Sequence, residues 1–448
     1  MSLDEAARLI EIEDYAQAGE LLNAHLIDCP DDAQALYYAG NVLYESGKPT
    51  LAQALYEKAD RASPGRWMIQ TNIARCMADQ HRYSQAKDIW LEVNDERPGD
   101  VLILNNLASA ELQLGNPAGA VSWCKRALDV DPDNVKAHTN LGFAYLATYD
   151  YARGWNEYAW GQGHLQWRDF KQFADEPEWS GHAGNVIVYA EQGLGDQILL
   201  SNPLHALCAA KSVRVHVDCH KKLAGLFARS FPLADVHGTQ MRHVSDLDWT
   251  RNLDISASMS FSGMQRHFRR HSDEWPGSRY LKVCQTRRRQ WDSTLPSDKP
   301  RIGIAWSGGS AQTQRKTRSA TIEQFLPILR AVDAHWVSLE YVDSAQEIAA
   351  LKSDYGVVVH DYPWATQTLD YDDTAALVDC LDVVVAPATT VVHLAGALGI
   401  RCLCAVHPAP HCFFGSDGDR LPYYDSVRLY RRAGEDWADQ ISAIAEAL

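Results

Sequence analysis

The chain has 448 residues, 46% of them hydrophobic and 22% charged, a globular and not a disordered composition. At roughly 150 residues per domain this length predicts about three domains. Lys and Arg number 42 against 58 Asp and Glu, and the formal charge of −16 opposes non-specific binding to nucleic acid or an anionic membrane. The acidity is uneven: residues 1–150 hold 23 acidic and 12 basic side chains, which makes the first third a separate unit. The ten cysteines are scattered without a CxxC pair, and Met1–Glu5 has neither a basic nor an apolar signal region. Both features predict a reducing cytoplasm, and the most apolar stretch, Val383 to Ile400, contains Pro387, Thr389, Thr390 and His393 and reads as strand, turn and helix rather than a membrane span.

In chain order, the first pattern is a repeat. Pro64, Pro98 and Pro132 are 34 residues apart, as are Ala52, Ala86 and Ala120. Gly40, Ala74, Ala108 and Gly142 keep the same period, at positions where two helices must approach closely. Tyr56, Trp90, Cys124 and Tyr158 are their bulky counterparts. This set resembles the tetratricopeptide repeat, with units starting near 33, 67, 101 and 135 and a weaker one before them. It predicts an α-solenoid over residues 1–163 with a concave groove. Asn72, Asn106 and Asn140 also recur at 34 residues. Their amides carry donors and an acceptor that suit an extended peptide backbone, and they resemble the asparagine ladder of protein O-GlcNAc transferases. Asn is also simply common at that repeat position. Family geometry adds Tyr44, Arg75, Asp79 and Gln113 to the same face.

Residues 164–183 lack the period and read as a packed linker. From Asn185 the pattern becomes strand, glycine turn (Glu191-Gln-Gly-Leu-Gly-Asp196), helix over 197–210, strand. It restarts at Arg301-Ile-Gly-Ile-Ala-Trp306 with Ser307-Gly308-Gly309 behind it, followed by a helix over 322–331. Strand–loop–helix alternation predicts parallel α/β sheets, with a cleft at the carboxyl ends of their strands. The expected domains are 184–298 and 299–448, with the final helix packing back across the hinge.

Four segments together resemble the glycosyltransferase family that includes the lipopolysaccharide heptosyltransferases, in its branch fused to tetratricopeptide repeats. They are Glu191–Asp196, Ile302–Gly308 with the basic run Arg315–Ser319, Asp373 through Leu381 to Gly399, and Tyr423–Tyr430. The resemblance implies two Rossmann-like domains in a GT-B fold, the first on the acceptor side and the second on the nucleotide-sugar side. It also implies a nucleotide-sugar co-substrate, no further cofactor, no metal, and inversion. The chain departs from the family at Ala388, where an acidic residue is usual, and in the segment His407–Phe414.

Glycosyl transfer needs a base, a stabilised leaving group and aligned substrates. By spacing, Asp196 reads as a helix cap or as a base in the cleft; the resemblance implies the base, with Gly193 and Gly195 beside it. Thr389, Thr390 and the helix behind them form a candidate phosphate site. His393 reads as an added donor or as a structural residue. Lys316 and Arg318, after Gly308, read as a phosphate clamp or as a solvated basic loop. Glu340 ends a strand and is a weaker nucleotide contact. Cys402 and Cys404 alternate along a buried strand and read as core rather than metal ligands. The expected activity is transfer of a sugar to a protein or peptide held in the repeat groove. The alternatives are a glycan or lipid-linked acceptor, or a non-catalytic scaffold with a degenerate sugar-nucleotide fold.

Overall fold

The computed structural model describes residues 3–164, 171, 173, 176–239, 248–309, 319–368, 370–432 and 436–448. It divides into two compact units, Met1–Ala144 and Tyr145–Leu448. Among the described residues no helix is long and apolar enough to cross a membrane.

The first unit stacks antiparallel helix pairs: α1 (Leu3–Glu11) with α2 (Tyr15–Asp28), α3 (Ala33–Glu45) with α4 (Pro49–Ala62), α5 (Trp67–Asp79) with α6 (Tyr83–Glu96), and α7 (Val101–Gln113) with α8 (Pro117–Val130). Local chemistry starts these helices. The Asp32 carboxylate accepts from the Gln34 and Ala35 amides, Asp100 caps Leu102 and Ile103, and Pro49 and Pro117 occupy first-turn positions. Each pair closes on the next through its own apolar cluster, as with Tyr56, Ile69 and Cys76. The small-against-bulky rule operates at Gly40, where an added Cβ would lie 2.5 Å from the Tyr56 ring.

A fifth pair, α9 (Val135–Ala147) and α10 (Tyr151–Ala159), keeps the repeat pattern, but α10 belongs to the second unit. The compact units therefore divide at 144/145 and not near 163. The reason is aromatic packing: Trp155, Tyr151 and Tyr158 are fully buried and meet Phe413, Trp275 and Tyr423.

The rest of the second unit holds two separate sheets. The first contains β1 (Gly184–Tyr189), β2 (Val213–His220), β3 (Ala234–Thr239) and β4 (Ile255–Ser260), all parallel in the order β3-β2-β1-β4. The end of the linker runs beside β4, with the Trp179 amide donating to Ser258. The second sheet contains β5 (Arg301–Ile304), β6 (His335–Ser338), β7 (Val359–His360), β8 (Val383–Pro387), β9 (Arg401–Val406), β10 (Arg420–Leu421) and β11 (Tyr424–Arg431). Its order is β10-β11-β9-β8-β5-β6-β7, parallel except for β10 with β11. Continuous apolar runs such as Val186–Val188 and Val383–Val385 are buried, as sheets covered on both faces require.

Three expectations are corrected. The helix expected over 197–210 is two, Leu194–Leu200 and Leu204–Ala209, because Pro203 interrupts the ladder. The helix expected over 322–331 is a 3₁₀ turn, Glu323–Phe325, followed by the short Leu326–Leu329. The final helix, Ala438–Ala447, does not return across the hinge. Its apolar stripe (Ile441, Ile444) joins the core of its own sheet with Ile302, Phe325 and Ile328. The crossing segment is instead the connector before β5, whose Tyr280 and Leu281 amides both donate to the Ala397 carbonyl.

Trp155 anchors α10, so Trp155→Ala should lower the stability of the second unit by about 3–5 kcal/mol. Denaturant unfolding measures this, and the transition of the repeat unit should not move with it.

Candidate functional site

In each sheet the strand order reverses once in the interior. β1 lies between β2 and β4, and β5 lies between β6 and β8. Ligand crevices in open parallel sheets form outside the carboxyl ends at such reversals. The glycine loop 190–195 follows β1, the loop 305–309 follows β5, and Pro387-Ala388-Thr389 closes β8. The two sheets therefore bring the sequence-predicted residues Gly193, Gly195, Asp196, Thr389, Thr390 and His393 into one neighbourhood.

Gly195 is the point of contact. A Cβ built on it would lie 3.2 Å from Thr390 Oγ1, 3.2 Å from His393 Cδ2 and 3.3 Å from Thr390 Cα. The helix Leu194–Leu200 thus packs directly on the helix Thr390–Ala397. Gly193 is the N-cap of the first, and Asp196 is its third residue, half-exposed in the first turn. Asp196 is therefore not the capping residue, although a carboxylate there favours the positive helix end. Thr389 is the N-cap of the second helix, and its side chain makes no capping hydrogen bond. Both Thr389 and Thr390 are half-exposed.

His393 lies underneath, 4% exposed. Burial pushes its imidazole down to about 3, so it is neutral at pH 7. A buried chain of hydroxyls links it to the other helix. His393 Nδ1 is 3.4 Å from Tyr424 Oη, which is 3.5 Å from Tyr280 Oη, and Tyr280 donates to the Ile198 carbonyl at 2.6 Å. Gly396 admits the Tyr424 ring, since an added Cβ would meet it at 2.4 Å. Burial raises both tyrosine hydroxyls above their ordinary range, which keeps them protonated.

The glycine loop itself is held from three sides. Glu191 accepts from the Ser262 amide at 3.1 Å, Gln192 donates to Tyr158 Oη, and Gln197 donates to the Gln192 carbonyl at 2.8 Å. In the second sheet Glu340 is buried after β6. Its Oε1 accepts from the Trp306 and Ser307 amides at 2.7 and 2.8 Å. Among the described residues its Oε2 has no partner, and burial raises its pKa. The Gly308 amide donates to Ser319 Oγ at 2.9 Å. Lys316 and Arg318 lie outside the described residues. Cys402 and Cys404 are fully buried on β9.

In the first unit Asn72, Asn106 and Asn140 are half-buried on α5, α7 and α9. Asn72 donates to Asn41 Oδ1 at 3.2 Å, and Asn140 to the Asn105 carbonyl at 3.5 Å. Neighbouring repeats thus take up two of the three amides, while Asn106 Nδ2 is buried with no partner among the described residues. Arg75 stacks over Tyr44 at 4.4 Å, and Asp79 hydrogen-bonds the same phenol.

The tetratricopeptide-repeat family model matches residues 3–66 and 77–135. The first unit is a tetratricopeptide-repeat array. A curated relative, Protein FlbA of Caulobacter vibrioides, is 22% identical over 470 aligned positions, covering 93% of this chain and 78% of that one. Such coverage includes the α/β region as well as the repeats. Among solved structures, MamA 41-end from Desulfovibrio magneticus RS-1 is 20% identical with a TM-score of 0.30, over 32% of this chain and 81% of that one. YrrB, described as a TPR protein with an unusual peptide-binding site, is 18% identical with a TM-score of 0.31, over 34% of this chain and 81% of that one.

Beside the tetratricopeptide repeats, several site residues carried no functional signal in the sequence. Tyr158 stood at the bulky repeat position and read as packing alone. Tyr424 fell inside the loosest of the four matching segments. Glu191 and Gln192 fell inside the first matching segment but had no role assigned to them, Gln197 follows it without a distinguishing pattern, and nothing marked Tyr280.

Two outcomes follow from this geometry. Gly195→Val would force a branched side chain against the Thr390 backbone and should cost about 1–3 kcal/mol in denaturant unfolding. His393 has a folded pKa below the 6.5 of the free side chain. The unfolded chain therefore binds a proton that the folded one does not, and stability falls as pH drops from 6.5 toward 3. Between pH 6.5 and 5 this group alone should remove about 2 kcal/mol. His393→Gln should lose that much less than the parent over the same interval; equal losses would contradict the assignment.

Proposed function

We propose that this chain is a metal-independent glycosyltransferase of the GT-B type, taking a nucleotide-sugar donor and a protein or peptide acceptor presented by the repeat groove. The observation that carries the reading is the packing, at Gly195, of the helix that bears the half-exposed Asp196 carboxylate on Thr390, at the start of a helix whose N-cap Thr389 makes no side-chain capping bond. In this reading the base and the leaving-group site face one crevice between the two sheets.

Asp196 takes the proton of the acceptor hydroxyl as its oxygen bonds to the anomeric carbon. The bond from that carbon to the phosphate oxygen breaks, and the electron pair leaves with the nucleotide. Backbone N–H groups at the start of Thr390–Ala397, with the Thr389 and Thr390 hydroxyls, stabilise the departing charge. A neutral His393 lends a hydrogen bond or shape, not charge. Glu340 offers an acceptor to the nucleotide while fixing the loop after β5. Single displacement inverts the anomeric centre. Lys316 and Arg318 are the remaining phosphate partners of this scheme, and the Asn72, Asn106 and Asn140 side chains hold the acceptor backbone with the amide positions that Asn41 and Asn105 leave open.

A second reading, a partner-binding scaffold with a degenerate nucleotide-sugar fold, is favoured by Ala388. Its backbone amide donates to the Ala405 carbonyl, and the narrow void beside it is lined, among the described residues, by His407, His411 and Phe414 and by no carboxylate.

The test is Asp196→Asn, which keeps the side-chain shape but takes no proton at neutral pH. Positioned base catalysis contributes about 10²–10⁴-fold, so kcat should fall by that factor with donor affinity nearly unchanged. Normal turnover in this variant would remove Asp196 as the base. No transfer by the parent chain from any nucleotide-sugar would favour the scaffold.

A further inference from the structure

At the opposite end of the strands from the crevice, where β8 and β9 begin, a cavity of about 670 Å³ opens among Arg229, Arg279, Lys282 and Arg288. Asp379 and Ile400 also line it, and these two residues precede β8 and β9. Arg229 ends a helix of the first sheet, while residues 279–288 belong to the connector.

The cationic groups are held in place. The buried Asp379 carboxylate pairs with Arg279 Nη1 and Arg288 Nε, each at 2.8 Å. Asp372 holds Arg229 in a fork of two 2.8 Å contacts. These three guanidinium side chains remain 32–42% exposed, so they are fixed yet reachable. Lys282 Nζ makes no ion pair among the described residues. Among the described residues four cations line the cavity with one carboxylate, Asp379, while Asp372, Asp370 and Asp292 act on the guanidiniums from behind, in a chain of net charge −16. The ten-residue helix Gln285–Thr294 begins at the cavity wall and adds its positive end. Val283, which is buried, and Ile400 supply an apolar floor.

We infer that this cavity is a binding site for a small organic phosphate, distinct from the crevice and independent of the glycosyl-transfer reading. Phosphate oxygens match the fork of Arg288 and the point charge of Lys282. The volume exceeds what a bare phosphate fills and lies in the range of small-molecule pockets, so the organic body rests on Val283 and Ile400. Because the walls come from the first sheet, the connector and the second sheet, an occupant ties the three together.

Calorimetric titration of the full chain with ribose 5-phosphate and with inorganic phosphate tests this. Ribose 5-phosphate should bind more tightly than phosphate. Lys282→Gln should weaken it roughly 10-fold or more, and Lys282→Arg should restore most of the loss. Lys282 makes no ion pair, so the Gln variant should keep the parent melting temperature. Thr390→Val, in the crevice, should leave this binding unchanged. Equal or tighter binding of inorganic phosphate would overturn the organic ligand. No binding of either probe, or binding unmoved by Lys282→Gln, would overturn the site.

Discussion

The second unit depends on a missing side chain. At Gly195 two helices from different sheets approach until a single added carbon would touch Thr390 and His393 at 3.2 Å. Interiors are close-packed and do not yield freely, so this contact sets the separation of the two sheets' crevice edges. Gly396 repeats the device one turn along the helix Thr390–Ala397, where it admits the Tyr424 ring. Between them runs the hydroxyl chain from His393 to the Ile198 carbonyl, which spans both helices. A buried polar chain of this kind is costly when partly satisfied and orienting when complete, and here it joins the elements that carry the carboxylate and the open helix end.

The last repeat helix, α10, gives up its place in the solenoid's compact unit and becomes part of the α/β core through Tyr151, Trp155 and Tyr158. Tyr158 also receives the Gln192 amide, so a residue kept at the repeat period holds the glycine loop that precedes Asp196. The bulky position of a repeat thus acquires a second duty: packing on one side and positioning on the other.

Much of this was legible in the sequence, for physical reasons that differ by region. The 34-residue period is strong because each repeat needs the same small and bulky residues at the same helix contacts, as Gly40 against Tyr56 illustrates. The sheets were legible because parallel strands covered on both faces read as unbroken apolar runs ending in glycine loops. The direction of the final helix was not. Its stripe of Ile441 and Ile444 requires an apolar partner but does not say which sheet supplies it. The division at 144/145 was equally hidden, since α10 keeps the repeat pattern while its aromatic neighbours come from residues more than 100 positions away. Within the crevice, the glycines, Asp196, Thr390 and His393 could be picked out, whereas Tyr280 and Tyr424 act through tertiary contacts that no local spacing encodes.

The central claim is that the crevice beside Gly195 and Thr390 holds the phosphate of a nucleotide-sugar. Thermal-shift titration of the full chain with nucleoside diphosphates of each base, repeated on Thr390→Val, tests it most directly. The account predicts that one base class raises the melting temperature in a concentration-dependent manner and that Thr390→Val removes most of the rise. No shift with any nucleoside diphosphate, or a shift that survives Thr390→Val unchanged, would contradict it.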